Sequence, residues 1–394
     1  MKNKIADVQR HLREEKCDGW LLYDFQRMNP LARAFLELPD DLLTSRRFFY
    51  WIPKQGVPIK IVHAIEQGVL DHLPGEAIVY LKWQEFEESL AYVLKGMHTV
   101  AMEFSEHCSL PYVSKVDAGL IDLIRSFSVK VVSSAGFLQY YTCVLDEEQI
   151  AMHIEAADFL AQTAEETWER IAHALSHGQP IDEYAVAQFI QARITAHGYI
   201  NEDHPICAVN EHSADPHFAP KKNAVRRIEK GDFILIDLWC KKNHPKAVYG
   251  DITRVAYAGP RPPSKHQEIF HIVRQAQKAA TDYVIAQYAN RKYPRGCDVD
   301  EVCRAVIEKA GYGAYFTHRT GHNIYTKDHG PGAHIDNLET RDFRHLIPRT
   351  CFSIEPGIYL PGEFGIRLEY DLLTINADTV RITGGVQEEI TPLL

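Results

Sequence analysis

Residues 232–259, DFILIDLWCKKNHPKAVYGDITRVAYAG, hold two apolar runs, and each run carries one carboxylate. Both runs read as strands, because β-branched and aromatic residues dominate between turn formers. Period two puts Asp237 on the same face as Phe233, Leu235 and Trp239. An ionised carboxylate among such side chains is costly unless it is paired or bound to a metal. Asp251 opens the second run, and two later segments repeat the pattern. Glu355 ends FSIE just before Pro356-Gly357, and Glu369 lies in IRLEYDLL on the face of Arg367 and Asp371. Taken singly, each acid has an ordinary explanation: Asp251 could close a turn after Gly250, and Glu369 could pair with Arg367. Four acids in four strand-like segments ask for a common one. Converging strands would gather them into a cluster that only cations can hold.

The histidines extend the pattern. In HRTGHNIYTKDHGPGAHID, His318, His322, His329 and His334 fall within 17 positions, interleaved with Gly321, Gly330 and Gly332. A lone histidine is usually structural, whereas several in a glycine-bearing loop between acid-bearing strands point to a site. One imidazole and four carboxylates carry enough negative charge for two divalent ions. Carboxylates favour harder ions such as Mn²⁺, and the imidazole keeps Co²⁺, Zn²⁺ and Fe²⁺ in play. Two ions roughly 3.5–4 Å apart can share a water, lower its pKa and polarise the carbonyl it attacks. Hydrolysis is the reaction such a centre suits.

The 394 residues exceed what one core usually supports, so two domains are expected. A net charge of -10 argues against a nucleic-acid partner. No run approaches the ~18 apolar residues of a membrane helix, and the N-terminus reads as free of a secretory signal, so no membrane partner is expected. Eight cysteines without a Cys-x-x-Cys pair read as free thiols in a reducing compartment, which gives a cytoplasmic location. Residues 1–145 alternate helix and strand patterns: WLLYDF, RRFFYWIP, IKIVHAI and TVAMEF as strands, EFEESLAYVLKGM and KVDAGLIDLIRSF as helices, KVVSSAG as the closing strand. His63 and His107 stand isolated there. The domain boundary falls before DEEQIAMHIEAADFLAQTAEETWERIAHAL, an amphipathic helix with acids in its first turn. Beyond it helices precede strands twice, which suits two related halves around one sheet.

From about residue 147 to the end, these residues resemble the pita-bread metallopeptidases, which include methionine aminopeptidase, aminopeptidase P and prolidase. The added N-terminal region is similar in size to that of the proline-specific branch and of creatinase. The resemblance implies an α/β (α+β) fold, with a small creatinase-like domain over 1–145 and a pita-bread catalytic domain over 146–394. ILIDLW matches the segment of the first metal aspartate, here Asp237, and YGDITR that of the bridging one, Asp251. TGH carries the metal histidine, His322, and SIEPGIYLPGEFGIRLE the last two ligands, Glu355 and Glu369. His217 in DPHF resembles the pocket histidine, and His329 the one that meets the substrate carbonyl or leaving nitrogen. His318 resembles the additional pocket histidine of proline-specific enzymes, Arg367 the arginine that steadies the last carboxylate, and Glu355 doubles as proton shuttle.

The implied function is metal-dependent hydrolysis of an N-terminal Xaa-Pro bond in a dipeptide or short peptide by a homodimer, with the dipeptidase slightly favoured over the aminopeptidase. A creatinase-like amidinohydrolase needs no metal and replaces several ligands, and non-catalytic binding modules of this type lose them; the complete set of five counts against both. The chain departs from the family pattern at GHNIY, where Asn323 and Tyr325 replace two glycines. Asn tolerates left-handed backbone far better than Tyr, so Tyr325 is expected beside the substrate, narrowing or reshaping the pocket. Gly330 stands where a glutamate often follows the second histidine, and KKNHP reads as a lengthened hairpin turn.

Overall fold

The computed structural model describes residues 2–224 and 226–394. Its chain divides into two compact units, Met1–Thr142 and Cys143–Leu394. The first contains strands Gly19–Asp24 (β1), Phe48–Pro53 (β2), Ile59–His63 (β3), Glu76–Tyr80 (β4), Thr99–Met102 (β5) and Lys130–Ser133 (β6). They form one sheet in the order β4-β3-β2-β1-β5-β6. Leu21, Tyr23, Phe49 and Trp51 face one apolar cluster, and Trp20, Leu22, Phe48 and Tyr50 face another, so period two buries both sides. Helices Lys2–Glu14 (α1), Pro30–Phe35 (α2), Trp83–Leu94 (α3), Ala118–Ser126 (α4) and Ala135–Thr142 (α5) complete the unit. α5 follows the strand that was expected to close this region. Its sequence, AGFLQYYT, carries a glycine and two tyrosines and lacks a polar face, so periodicity does not announce it. The fully buried Glu103 takes hydrogen bonds from Trp20 Nε1 (2.6 Å), Asn29 Nδ2 (2.9 Å) and Ser134 Oγ (3.0 Å), a structural use of an acid.

The second unit opens with Glu147–Ser176 (α6). Asp146 caps it: its side chain accepts from Gln149 N at 2.8 Å while the Gln149 side chain accepts from Asp146 N at 3.1 Å. Glu183–Ala196 (α7), Tyr199–Ile200 (β7), Ile206–Val209 (β8), Phe233–Lys242 (β9) and Gly250–Tyr257 (β10) follow. Ser264–Ala289 (α8) and Gly296–Lys309 (α9) then precede Asn323–Ile324 (β11), Cys351–Ile354 (β12), Gly357–Leu360 (β13), Phe364–Arg367 (β14), Tyr370–Thr374 (β15), Val380–Thr383 (β16) and Thr391–Pro392 (β17). One sheet runs β17-β10-β9-β7 with β8 also on β9, a second runs β11-β12-β15-β16, and β13 pairs with β14. Along β9, Ile234, Ile236 and Leu238 pack in one cluster with Ala156, Leu160 and Trp168 of α6. Each is fully buried and contributes about 1.5–3 kcal/mol. The opposite face starts apolar with Phe233 and Leu235 and becomes polar at Asp237.

The chain breaks its strands at two of the acids. CFSIEPGIYL splits at Glu355–Pro356 into β12 and β13, because proline has no N–H for a ladder. IRLEYDLL splits at Leu368–Glu369 into β14 and β15. The two breaks meet, since Leu368 N donates to Pro356 O at 3.3 Å. Gln277 of α8 clasps them: its Nε2 lies 3.0 Å from both Ile354 O and Leu368 O.

Candidate metal centre

Antiparallel register puts Thr253 opposite Asp237 and Asp251 opposite Trp239, so Asp237, Asp251 and Thr253 share one face of the β9–β10 pair. Thr253 Oγ1 sits between two carboxylates, 3.0 Å from Asp237 Oδ1 and 2.6 Å from Glu369 Oε2. Arg367, at the end of β14, donates from Nη2 to Asp237 Oδ2 (2.5 Å) and from Nε to Thr253 Oγ1 (3.0 Å). Glu369 is held by its backbone against β10, with its N–H on Thr253 O and its carbonyl accepting from Arg254 Nη1. Glu355 Oε1 lies 3.0 Å from Ser353 Oγ and 3.4 Å from His322 Nε2. His322 Nε2 is also 3.8 Å from Asp251 Oδ2. Donor atoms of Asp251, His322 and Glu369 all lie within 4.8 Å of one another. The structure thus brings together Asp237, Asp251, His322, Glu355, Glu369 and Arg367.

The electrostatics of this cluster are those of a site made for cations. Burial, followed by the neighbouring acids, pushes the carboxyls of Asp251 and Glu369 well above the ordinary range. Burial raises Glu355 to about 7 even though Arg367 and Arg319 pull it down. His322 is driven well below its usual pKa by burial first and His329 second, so its imidazole is neutral and has a lone pair to give. Asp251 Oδ1 is buried without any hydrogen-bond partner. An oxygen-rich donor set with one neutral imidazole and an orphaned carboxylate oxygen fits a pair of divalent ions.

The expected pocket residues fall in different places. His318 is half-buried, with Nδ1 2.7 Å from Arg319 O and Nε2 2.7 Å from Tyr359 OH, and Arg367 Nη1 donates to the same phenol at 3.2 Å. Burial lowers its pKa to about 3, so it too is neutral. His329 is exposed at the rim, its ring centroid 4.1 Å from that of His322. His217 is exposed on the loop after β8, its N–H on Asp215 Oδ1. Tyr325 packs beside Leu145, Ile150, Val248 and Tyr249 in a satellite cluster that also takes Trp239. Asn323 lies in β11 and needs no left-handed backbone.

Sequence reasoning passed over four residues at the centre. Thr253 and Ser353 lie two positions from ligands on their own strands, the period-two signal that could have found them. Tyr359 lies in an apolar strand with nothing to mark it. Asp328 precedes His329, and its acid could have been counted with the others: burial, then Asp237 and Glu355, raise its carboxyl to about 8.

Residues 154–376 match the metallopeptidase family M24. An uncharacterized peptidase of Staphylococcus aureus (strain USA300) is 30% identical over 337 residues, covering 84% of this chain and 86% of the relative. One from Staphylococcus saprophyticus is 31% identical over 206 residues, 52% of this chain and about half (54%) of the relative. Among solved structures, dipeptidase PepE from Mycobacterium ulcerans superposes with a TM-score of 0.70 at 22% identity, over 100% of this chain and 97% of that one. A Xaa-Pro dipeptidase from Bacillus anthracis gives 0.61 at 22% identity, over 99% of both chains. At such identity the two structures bear on the fold, which is the pita-bread fold with an N-terminal domain. With more than half its length matched, and with a relative similar along most of both chains, the protein belongs to metallopeptidase family M24.

Proposed function

We propose that this chain hydrolyses the N-terminal Xaa-Pro bond of a dipeptide or short peptide with two divalent ions, Mn²⁺ first among them, held by Asp237, Asp251, His322, Glu355 and Glu369. The observation that carries the reading is the gathering of four carboxylates and one neutral imidazole about a buried oxygen that no donor satisfies. When bound, such a pair lowers the pKa of a shared water and polarises the scissile carbonyl. Glu355, steadied by Ser353 on Oε1, is suited to take the proton of the attacking water and return it to the leaving nitrogen as the C–N bond breaks. Arg367 fixes Asp237 through Nη2 and Thr253 through Nε, so the first carboxylate cannot swing away. His318 and His329, expected to meet the substrate, flank the cluster on two sides. The Xaa-Pro amide lacks an N–H, so recognition has to come from the carbonyl and the ring, for which imidazoles and the Tyr359 phenol are suitable partners.

The dipeptidase is slightly favoured over the aminopeptidase, in keeping with the name of the Bacillus anthracis neighbour. The catalytic domain is taken to span 146–394, with 1–145 as the accessory domain, in a cytoplasmic homodimer. The test is proline release from Ala-Pro and from Ala-Pro-Ala by metal-stripped protein, before and after Mn²⁺. Mn²⁺-dependent cleavage of Ala-Pro is expected, and Asp251→Ala should lose both metal binding and activity. Cleavage of the tripeptide alone would make it an aminopeptidase; full activity of Asp251→Ala would refute the mechanism.

A further inference from the structure

We propose that Asp328 is a sixth protein ligand of the metal pair, serving the ion held by His322. This rests on the reading of the centre given above. The donor atoms of His322, Asp328 and His329 all lie within 4.8 Å of one another, and those of Asp251, His322 and Glu369 do so as well. His322 is therefore common to two groups, one built on the strands and one on the loop. The Asp328 side chain lies within hydrogen-bonding reach of that of Asp251.

Three features separate Asp328 from an ordinary loop acid. Its Oδ1 is shielded from solvent and accepts no hydrogen bond. The charges that act on it, Asp237, Glu355 and Glu202, are all acids. The nearest ring is His329, whose Nε2 is 3.7 Å from Oδ2, but that imidazole lies at the exposed rim. A carboxylate in such surroundings needs a cation. Arg367 cannot serve, because its three nitrogens are given to Asp237, Thr253 and Tyr359.

The loop is also held for this purpose. His322 Nδ1 lies 3.4 Å from Asn323 O, so the residue that anchors the loop also orients the imidazole. Asn323 anchors the loop: its carbonyl accepts from Gly330 N at 2.7 Å and its Oδ1 from Gly332 N at 2.8 Å. A Cβ at Gly330 would stand 2.3 Å from Asn323 Oδ1, so only glycine permits this approach. The asparagine that replaces a family glycine is thus a positioning residue for Asp328.

The experiment is Mn²⁺ binding to the metal-stripped full chain, followed by calorimetry and by the electron-paramagnetic signal of free Mn²⁺. The wild type is expected to take two ions. Asp328→Asn should still take two, with one Kd weakened at least about ten-fold, and Asp328→Glu should recover most of the loss. Without metal, Asp328→Asn should melt no lower than wild type, because it removes a half-buried acid among acids; weaker binding with undiminished metal-free stability is a pairing that a merely structural role would not give. Both Kd values unchanged in Asp328→Asn would overturn the proposal, and so would an effect confined to the KM for Ala-Pro. Failure of the wild type to bind two ions would instead refute the reading of the centre itself.

Discussion

Removing metal should produce a protein whose stability falls as the pH rises from about 6.5 to 8. Below about pH 6.5 the buried imidazoles and the raised carboxyls oppose one another. His153 and His318 are held at about 4 and about 3 by burial, so the unfolded chain binds protons that the folded one refuses, and stability grows as those protons leave. Above that point the carboxylates take over with the opposite sign. Glu355, raised to about 7, and Asp328, raised to about 8, keep protons that the unfolded chain has already released. Their contribution is complete below the ordinary carboxylate range and is lost as the pH passes through 7 and 8. At about 1.4 kcal/mol per unit of differential titration, the two together remove about 2 kcal/mol between pH 6.5 and 8. Asp251 and Glu369 push in the same direction. Divalent ions replace those protons, so the metal-loaded protein should show no such decline. Urea unfolding of stripped and Mn²⁺-loaded protein, followed by tryptophan fluorescence at intervals from about pH 5 to pH 8, reads the difference. Stripped protein that stays level or gains stability up to pH 8, or loaded protein that declines alongside it, would refute the reasoning.

Thr253→Val removes the hydroxyl between Asp237 and Glu369 while preserving shape; Mn²⁺ affinity should fall about 10–100-fold, the stripped protein should lose about 1–3 kcal/mol because Arg367 Nε is left without that partner, and retention of wild-type affinity by calorimetry would count against that role. Gly321→Ala would place a Cβ 2.0 Å from Ser353 O, a backbone atom of β12 that cannot yield. A loss of about 1–3 kcal/mol or more is expected on denaturant unfolding, together with reduced metal content because His322 is the next residue; a neutral result would mean that β12 can shift.

The sequence displayed the acids clearly because burial makes them anomalous: Asp237 among Ile and Leu can be read without coordinates. Asp251, Glu355 and Glu369 were legible for the same reason. The strand breaks were not, since Pro356 stood in plain view but the matching break at Leu368–Glu369 has no proline and depends on β10 capturing the Glu369 backbone. The apolar neighbours of Tyr325 come from Leu145, Ile150 and Val248, distant in sequence, so its packing could not be read locally. Asp328 was overlooked because it sits in a polar loop, where an acid looks ordinary until the fold buries it against Asp251. α5 stayed hidden for want of a polar face.

The seam between the two strand breaks carries a ligand on each side, Glu355 and Glu369, and Gln277 is its only clasp from α8 among the described residues. The span between these two carboxylates is set at the joint between two ladders, with Ile354 opposite Tyr370 on one side and Gly357 opposite Arg367 on the other. A joint can be adjusted without rebuilding what it connects. Exchange of Gln277 on a helix that holds no ligand would alter that span while each glutamate keeps its own rotamer and neighbours. The catalytic unit therefore has a tuning point remote from its chemistry, through which ion size and ligand reach can be matched over generations of sequence change.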